Sequence, residues 1–295
     1  MFKKLGLLIW ILVGCSQYSH SQITKEYVVK EKEGFNLVKF DFSSYKSTSV
    51  LKRNYIGQPI RAHAHLSKVN ILPTFNHHIT GEVLNTSIDH SNTASESLGR
   101  SLSYRLFTGT NDSYDHAWFI DLDSDFLYDL NFNLGLGKTS FDLSDLSVAK
   151  CKVKTASADV SLGYSSRTLN KANMDTMMVV IKMGSLDAKR INYSNAKHMI
   201  FDVNYGSVNL SFDDNIPGGC TVSTWVGAGS VNIDLPSSNL PYIVKLKSTP
   251  MCRTSIPKHL KEIDSKVYVS KGYNQDAEDL MTFLIDISVG SVSLK

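Results

Sequence analysis

From Phe35 onward the chain is dominated by short apolar and polar alternations of period two, the pattern of strands with one buried face. Tyr27 to Val29, Phe35 to Phe42, Val69 to Leu72 and Ala117 to Leu122 read as strands separated by turn-forming residues, and nothing before Leu127 has helical periodicity. Asn85 to Arg100, rich in Ser, Asn and Thr, reads as a long surface loop. From Leu127 the alternation becomes repetitive. Gly184-Ser-Leu-Asp-Ala188 matches Gly206-Ser-Val-Asn-Leu210, Gly229-Ser-Val-Asn-Ile233 and Gly290-Ser-Val-Ser-Leu294, and Gly137-Lys-Thr-Ser-Phe141 and Ala158-Asp-Val-Ser-Leu162 are weaker copies. The copies begin at positions 137, 158, 184, 206, 229 and 290, so the spacing is nearly even until a single long interval before the last.

A period near 22 with alternation inside it predicts stacked coils that bury their Val, Leu, Ile and Phe residues only against neighbouring coils. The expected fold is all-β: an N-terminal β region followed by a β-solenoid of about six or seven coils. The expected boundaries are a signal over 1–21, the N-terminal β region over 22–126 and the repeats over 127–295. Gly137, Gly184, Gly206, Gly229 and Gly290 are the structural turn positions, since glycine suits a tight corner with positive φ. The long last interval should hold one glycine-less coil, Tyr242 to Lys247, and an insertion with a helical turn between Ile256 and Ile263. The N-terminal region is expected to cover the first coil and protect its edge.

These coils resemble the toast-rack and adhesin-type β-solenoid domains of bacteria and are similar to the C-terminal domain of LiaF-type envelope-stress regulators. The resemblance rests on Leu130-Asn-Phe-Asn-Leu-Gly-Leu-Gly137 leading to Phe141-Asp-Leu-Ser-Asp-Leu146, on Ile191 to Ala196, on Val226 to Pro236 and on the closing Gly290-Ser-Val292. It covers roughly residues 118–295, and Ala158-Asp159 departs from its Gly-Ser pattern. It implies a scaffold or interaction role and carries over no catalytic residue.

The N-terminus changes the picture of where the chain works. Lys3 and Lys4 precede the apolar run Leu5 to Val13, which is too short to span a bilayer and reads as an export signal. Leu12-Val-Gly-Cys15 resembles a bacterial lipobox, making Cys15 the lipidation site and the outer membrane the expected address. Cleavage after Ser21 is the competing reading, and both export the chain. The formal charge of +3 shrinks when Lys3 and Lys4 leave, so no basic footprint points to nucleic acid. Cys151, Cys220 and Cys252 remain; a Cys220–Cys252 disulfide and three buried thiols are both open.

Candidate chemistry is sparse. His63 and His65 share one side of a strand, which suits zinc or copper, but no third ligand stands at a diagnostic spacing, so they are weak metal candidates. Arg61 beside them suggests an anionic ligand as another reading. Asp121, Asp123 and Asp125 imitate the opening of a calcium loop, but Phe126 and Phe132 occupy the positions that need Gly and Glu, so a solvated strand face is expected. Gly135 to Ser140 ends like a phosphate-binding loop, yet alternates as a strand where a helix is required. Asp187, Asn209, Asn232 and Ser293 occupy equivalent positions after the corner, with one carboxylate among four, which fits a polar ladder better than a polysaccharide-cleaving face. The expected function is a non-catalytic envelope scaffold that needs no cofactor, with other envelope proteins as partners and the membrane reached through its lipid. The alternative is a glycan- or surface-binding module using N-terminal loops around Trp118, Tyr104 and the histidines.

Overall fold

The computed structural model describes residues 23–67, 72–90, 116–214 and 218–295. The segment expected to be a signal, Cys15, Tyr104 and most of the expected strand at Val69 to Leu72 lie outside them. The described chain is all-β, with one large mixed sheet whose pairings are mostly parallel.

Its backbone is a series of long strands: β2 (Leu37–Arg53), β7 (Leu127–Asp142), β8 (Ser147–Gly163), β9 (Met174–Lys189), β10 (Ala196–Ser211), β11 (Cys220–Asp234) and β16 (Met281–Leu294). They lie side by side in that order, each parallel to the next. The register is set by the repeat: Ser47, Gly137, Ala158, Gly184, Gly206, Gly229 and Gly290 occupy one continuous row.

Each long strand must double over. A straight 16-residue strand such as β7 would span about 50 Å, whereas the link from Asp142 to Ser147 reaches at most about 18 Å, and Ser147 pairs with Leu127 at the other end. The bend has a fixed place. Pairing skips Tyr45, Gly135, Ala156, Lys182, Asn204, Gly227 and Ser288, each two residues before the glycine row, so every rung loses contact at the same level. We call the segment before this level limb one and the segment after it limb two.

Glycine is required at the corner for two reasons. Gly137, Gly184, Gly206, Gly229 and Gly290 have φ between +132° and +150°, which side chains disfavour. In addition, a Cβ at Gly206 would stand 1.7 Å from the carbonyl oxygen of Gly184, and one at Gly290 would stand 1.7 Å from that of Gly229. Ala158 shares the row without a positive φ.

Both limbs turn alternate residues inward. On limb one Phe42, Phe132, Val153, Val179, Phe201 and Ile285 are buried on consecutive rungs, interrupted by buried Thr224. On limb two the row Val160, Leu186, Val208, Val231, Val292 does the same. One rung alone covers none of these side chains, so burial depends on the rungs above and below.

At both ends antiparallel strands join the parallel stack. Beyond β2, limb one is extended by β5 (Val83–His90) and β4 (Thr74–Thr80), and limb two by β6 (His116–Leu122), β3 (Ile60–Leu66) and β1 (Ile23–Val28). At the far end β12 (Tyr242–Ser248) continues limb one, followed by β15 (Val267–Val269) and β14 (Lys261–Asp264), while β13 (Cys252–Ser255) continues limb two. The glycine-less strand expected at Tyr242 to Lys247 is therefore present, but outside β16, which takes the place directly against β11.

Two local expectations are corrected. No helix forms between Ile256 and Ile263: a single turn closes from Leu260 N–H to Pro257 O and buries Leu260, and Lys261–Asp264 then leaves it as a strand paired with β15. The stretch read as a loop from Asn85 begins as strand, with Leu84, Thr86, Ile88 and His90 inward; its small polar residues hid the alternation. Residues 91–100 lie outside the described chain. Among the described residues no helix is long and apolar enough to cross a membrane.

Candidate functional site

The histidines fall into separate places. His63 and His65 share the outward face of β3, where the Nε2 of His63 is 3.8 Å from Glu26 Oε1 and the Nδ1 of His65 is 3.4 Å from Thr24 Oγ1. Arg61 faces the same carboxylate at 3.7 Å, so its charge is balanced within the sheet. Exposed Phe119 meets the His65 ring edge to face. His77 pairs with Glu31 at 3.1 Å on the other limb's extension, and His90 packs against His116 beneath. Among the described residues no three His, Cys, Asp or Glu side chains converge in a way that would hold a metal ion.

Trp118, the aromatic expected to meet a glycan, is fully buried. It packs edge on against Phe42 and stacked against Tyr27, in the core under β2. Its inward position on β6 follows from register, since Ile120 and Leu122 face the same way.

The three aspartates are not a solvated strand face. β6 ends at Leu122, and Asp123, 2% exposed, turns its carboxylate onto a loop. Its Oδ2 accepts hydrogen bonds from the backbone N–H groups of Ile56 (3.0 Å) and Gly57 (2.6 Å), and its Oδ1 accepts from Asp125 N–H (3.2 Å). The buried Tyr128 hydroxyl donates to Pro59 O at 2.7 Å and anchors the same loop. Gly135 to Ser140 is continuous strand within β7.

In the row after the corner one cross-strand bond is made, from the Asn232 side-chain amide to Asn209 at 2.8 Å, while Asp187 pairs within its own strand with Lys189 at 3.1 Å. Cys151, Cys220 and Cys252 are free thiols. Cys220 lies beside Met281 and Cys252 beside Gly290, at well-separated levels along β16, so the two do not meet. Burial pushes the thiols of Cys151 and Cys220 up to about 12.

An open aromatic concavity on the stack itself was not singled out by the sequence reading. On the outer face of limb one, Asp202, Trp225, Asp286 and Lys247 form one rung-to-rung row on β10, β11, β16 and β12. Trp225 is 43% exposed, and Lys247 donates to Asp286 at 2.7 Å. One outward position further on, Gly227 leaves a gap between Asn204 and Ser288, and the next row is Tyr205, Ala228 and Val289. Tyr205, 60% exposed, and Val289 line it there. The signal was present: within Cys220 to Val226 the inward positions are Cys220, Val222, Thr224 and Val226, which places Trp225 outward by parity.

No family pattern matches the chain, and no curated protein does. Solved structures do. The chain is similar to a candidate cell adhesion protein from Clostridium sporogenes, with a TM-score of 0.44 and 14% identity over 93% of this chain and 99% of that one. A candidate adhesin from Bacteroides fragilis aligns with a TM-score of 0.34 and 11% identity over 94% of this chain and 98% of that one. A further candidate adhesin, from Parabacteroides distasonis, gives 0.28 and 12% over 94% and 98%.

Proposed function

We propose that this protein is an exported, non-catalytic envelope component, built as a β-solenoid, that presents a rigid outer face to a partner. The observation that carries this reading is the seven-rung register, from Ser47 to Gly290, in which the inward rows are closed and the outward rows stand in line. A doubled-over strand repeated in register is a solenoid coil, and its side chains form a straight, stiff display surface.

A polysaccharide-cleaving enzyme needs two carboxylates flanking the scissile bond. The post-corner row offers Asp187 alone, engaged by Lys189, beside amides that bond to each other. The aromatic cleft at Trp225 does have carboxylates on both flanks, Asp202 and Asp286, but Lys247 holds Asp286 at 2.7 Å, so the cleft suits binding better than cleavage. The segment 1–21 supplies export, and Cys15 supplies lipid attachment at the outer membrane, with other envelope proteins as partners.

Fractionation of cells making the native chain or Cys15→Ala tests this. The native chain partitions with membranes and its variant with the soluble exported fraction. Crosslinking followed by mass spectrometry then recovers envelope partners from the native form. Recovery of both forms in the cytoplasm would sink the proposal.

A further inference from the structure

We propose that the cleft between Trp225 and Tyr205 binds uncharged glycans; this rests on the reading of the protein as an envelope interaction module. Trp225 stands outward on a strand whose adjacent residues, Thr224 and Val226, are buried, so folding does not require its indole to face water. Its free indole face, beside exposed Tyr205, offers aromatic surface for a ligand to cover.

The surroundings define what would cover it. Gly227 removes the side chain from the next outward position, about 7 Å along the strand, so the open space beside the indole admits a ring standing against it. On the neighbouring strands, about 4.8 Å to either side, Asn204 and Ser288 offer donors and acceptors. At the level of Trp225, Asp202 and Asp286 add carboxylate acceptors on both flanks. Tyr205 contributes a second aromatic surface in the next row. An apolar face edged by a ring of hydrogen-bonding groups is the complement of a pyranose, whose C–H face stacks on aromatics while its hydroxyls point sideways.

Charge selects within that class. Asp286 is matched by Lys247 at 2.7 Å, whereas Asp202 has Val180 and Trp225 on its two neighbouring strands. The cleft is thus net negative and repels uronates and sulfated sugars. A second carboxylate-flanked aromatic reading, capture of a quaternary ammonium group by cation–π attraction, lacks a use for the amide and hydroxyl edges of Asn204 and Ser288.

The protein has three tryptophans: Trp10 in the signal, Trp118 in the core and Trp225 in the cleft. The exported chain keeps Trp118 and Trp225, so a ligand-induced change at the exposed indole reports the cleft in the native protein, and isothermal titration calorimetry reads affinity in every variant. The probes are neutral oligosaccharides (gluco-, manno- and N-acetylglucosamine series), a polygalacturonate oligomer and phosphocholine. The expected result is saturable binding of at least one neutral series, seen by calorimetry and as a change in native emission, with the calorimetric affinity weakened about tenfold or more in Trp225→Ala and weakened in Asp202→Asn, and no response to polygalacturonate. Phe119→Ala, an exposed aromatic elsewhere, leaves binding unchanged. The inference is overturned by silence across all neutral series, by a response to phosphocholine alone, or by binding that Trp225→Ala leaves intact. Envelope crosslinks retained in Trp225→Ala alongside such silence would remove the glycan inference and leave the module reading standing; loss of both export and crosslinks would remove the module.

Discussion

Replacing Gly229 by Ala adds a single methyl group at the place where the rungs are closest. Its Cβ would lie 1.6 Å from the carbonyl oxygen of Gly206 and 2.7 Å from its carbon, both backbone atoms. Comfortable contact requires about 3.5 Å, so either β10 and β11 part by roughly 2 Å or Gly229 abandons its φ of +150°. Holding a side chain in that conformation costs about 1–3 kcal/mol. Parting the rungs loses two or three ladder hydrogen bonds at about 0.5–1.5 kcal/mol each. With both costs together the expected destabilisation is on the order of 2–7 kcal/mol, which at about 2–4 °C per kcal/mol for a large domain lowers the melting temperature by roughly 4–28 °C. Gly218→Ala is the control, because its Cβ meets nothing within 4 Å and its φ is not positive; it should melt with the parent. Circular dichroism in the far ultraviolet during heating measures both. A Gly229→Ala protein that melts within about 2 °C of the parent would refute the close-packed corner and with it the requirement for glycine along the row.

Three other outcomes follow from the same geometry. Trp118→Ala should destabilise by about 3–5 kcal/mol through the cavity it leaves, while Trp225→Ala should melt like the parent, a contrast that thermal denaturation resolves. Asp123→Ala strips the acceptors from the N–H groups of Ile56 and Gly57 and should cost about 1–3 kcal/mol, visible as a lowered denaturant midpoint; Asp123→Asn, which keeps an acceptor oxygen, should lose less. In a thiol-labelling time course Cys252 should react in the native state, with Cys151 and Cys220 protected until unfolding. Because burial raises both buried thiols to about 12, the unfolded chain loses its thiol protons first, from roughly pH 8.5. Their contribution is complete below that pH and is lost as pH climbs toward 12, and the raised hydroxyls of Tyr128 and Tyr164 act with the same sign. A melting temperature that does not fall across that alkaline range would contradict this.

The glycine row was legible in the sequence because one backbone conformation, reused at five of the seven rungs, favours glycine. Gly137, Gly206 and Gly229 stand in line for that reason. The rung at β2 was not legible, since Ser47 holds the glycine position and the preceding Phe40, Phe42 and Ser44 alternate like any half-buried strand. Nor was the order of the last strands: Gly229 and Gly290 are neighbours despite the long insertion between them, and no local signal tells Tyr242 to Ser248 to dock outside β16. Asp123 looked like a surface carboxylate because its partners are backbone N–H groups, which carry no residue identity. Trp225 was readable from strand parity, but its cleft depends on Asn204 and Ser288 from rungs that become adjacent only after stacking.

The placement of β16 between β11 and β12 also governs the order of assembly. A newly made chain emerges from its N-terminal side, so each rung from β2 to β11 can settle on the one already formed. That growth stops at β11. β12, β13, β14 and β15 appear next, yet β12 and β13 have their parallel pairing to β16, which comes after them. These segments must wait undocked while the rim of β11 stays open, and the arrival of Met281–Leu294 closes both at once. β16 is therefore a keystone, and the interval before it arrives is when this protein is most vulnerable to proteases and to strand pairing with its neighbours.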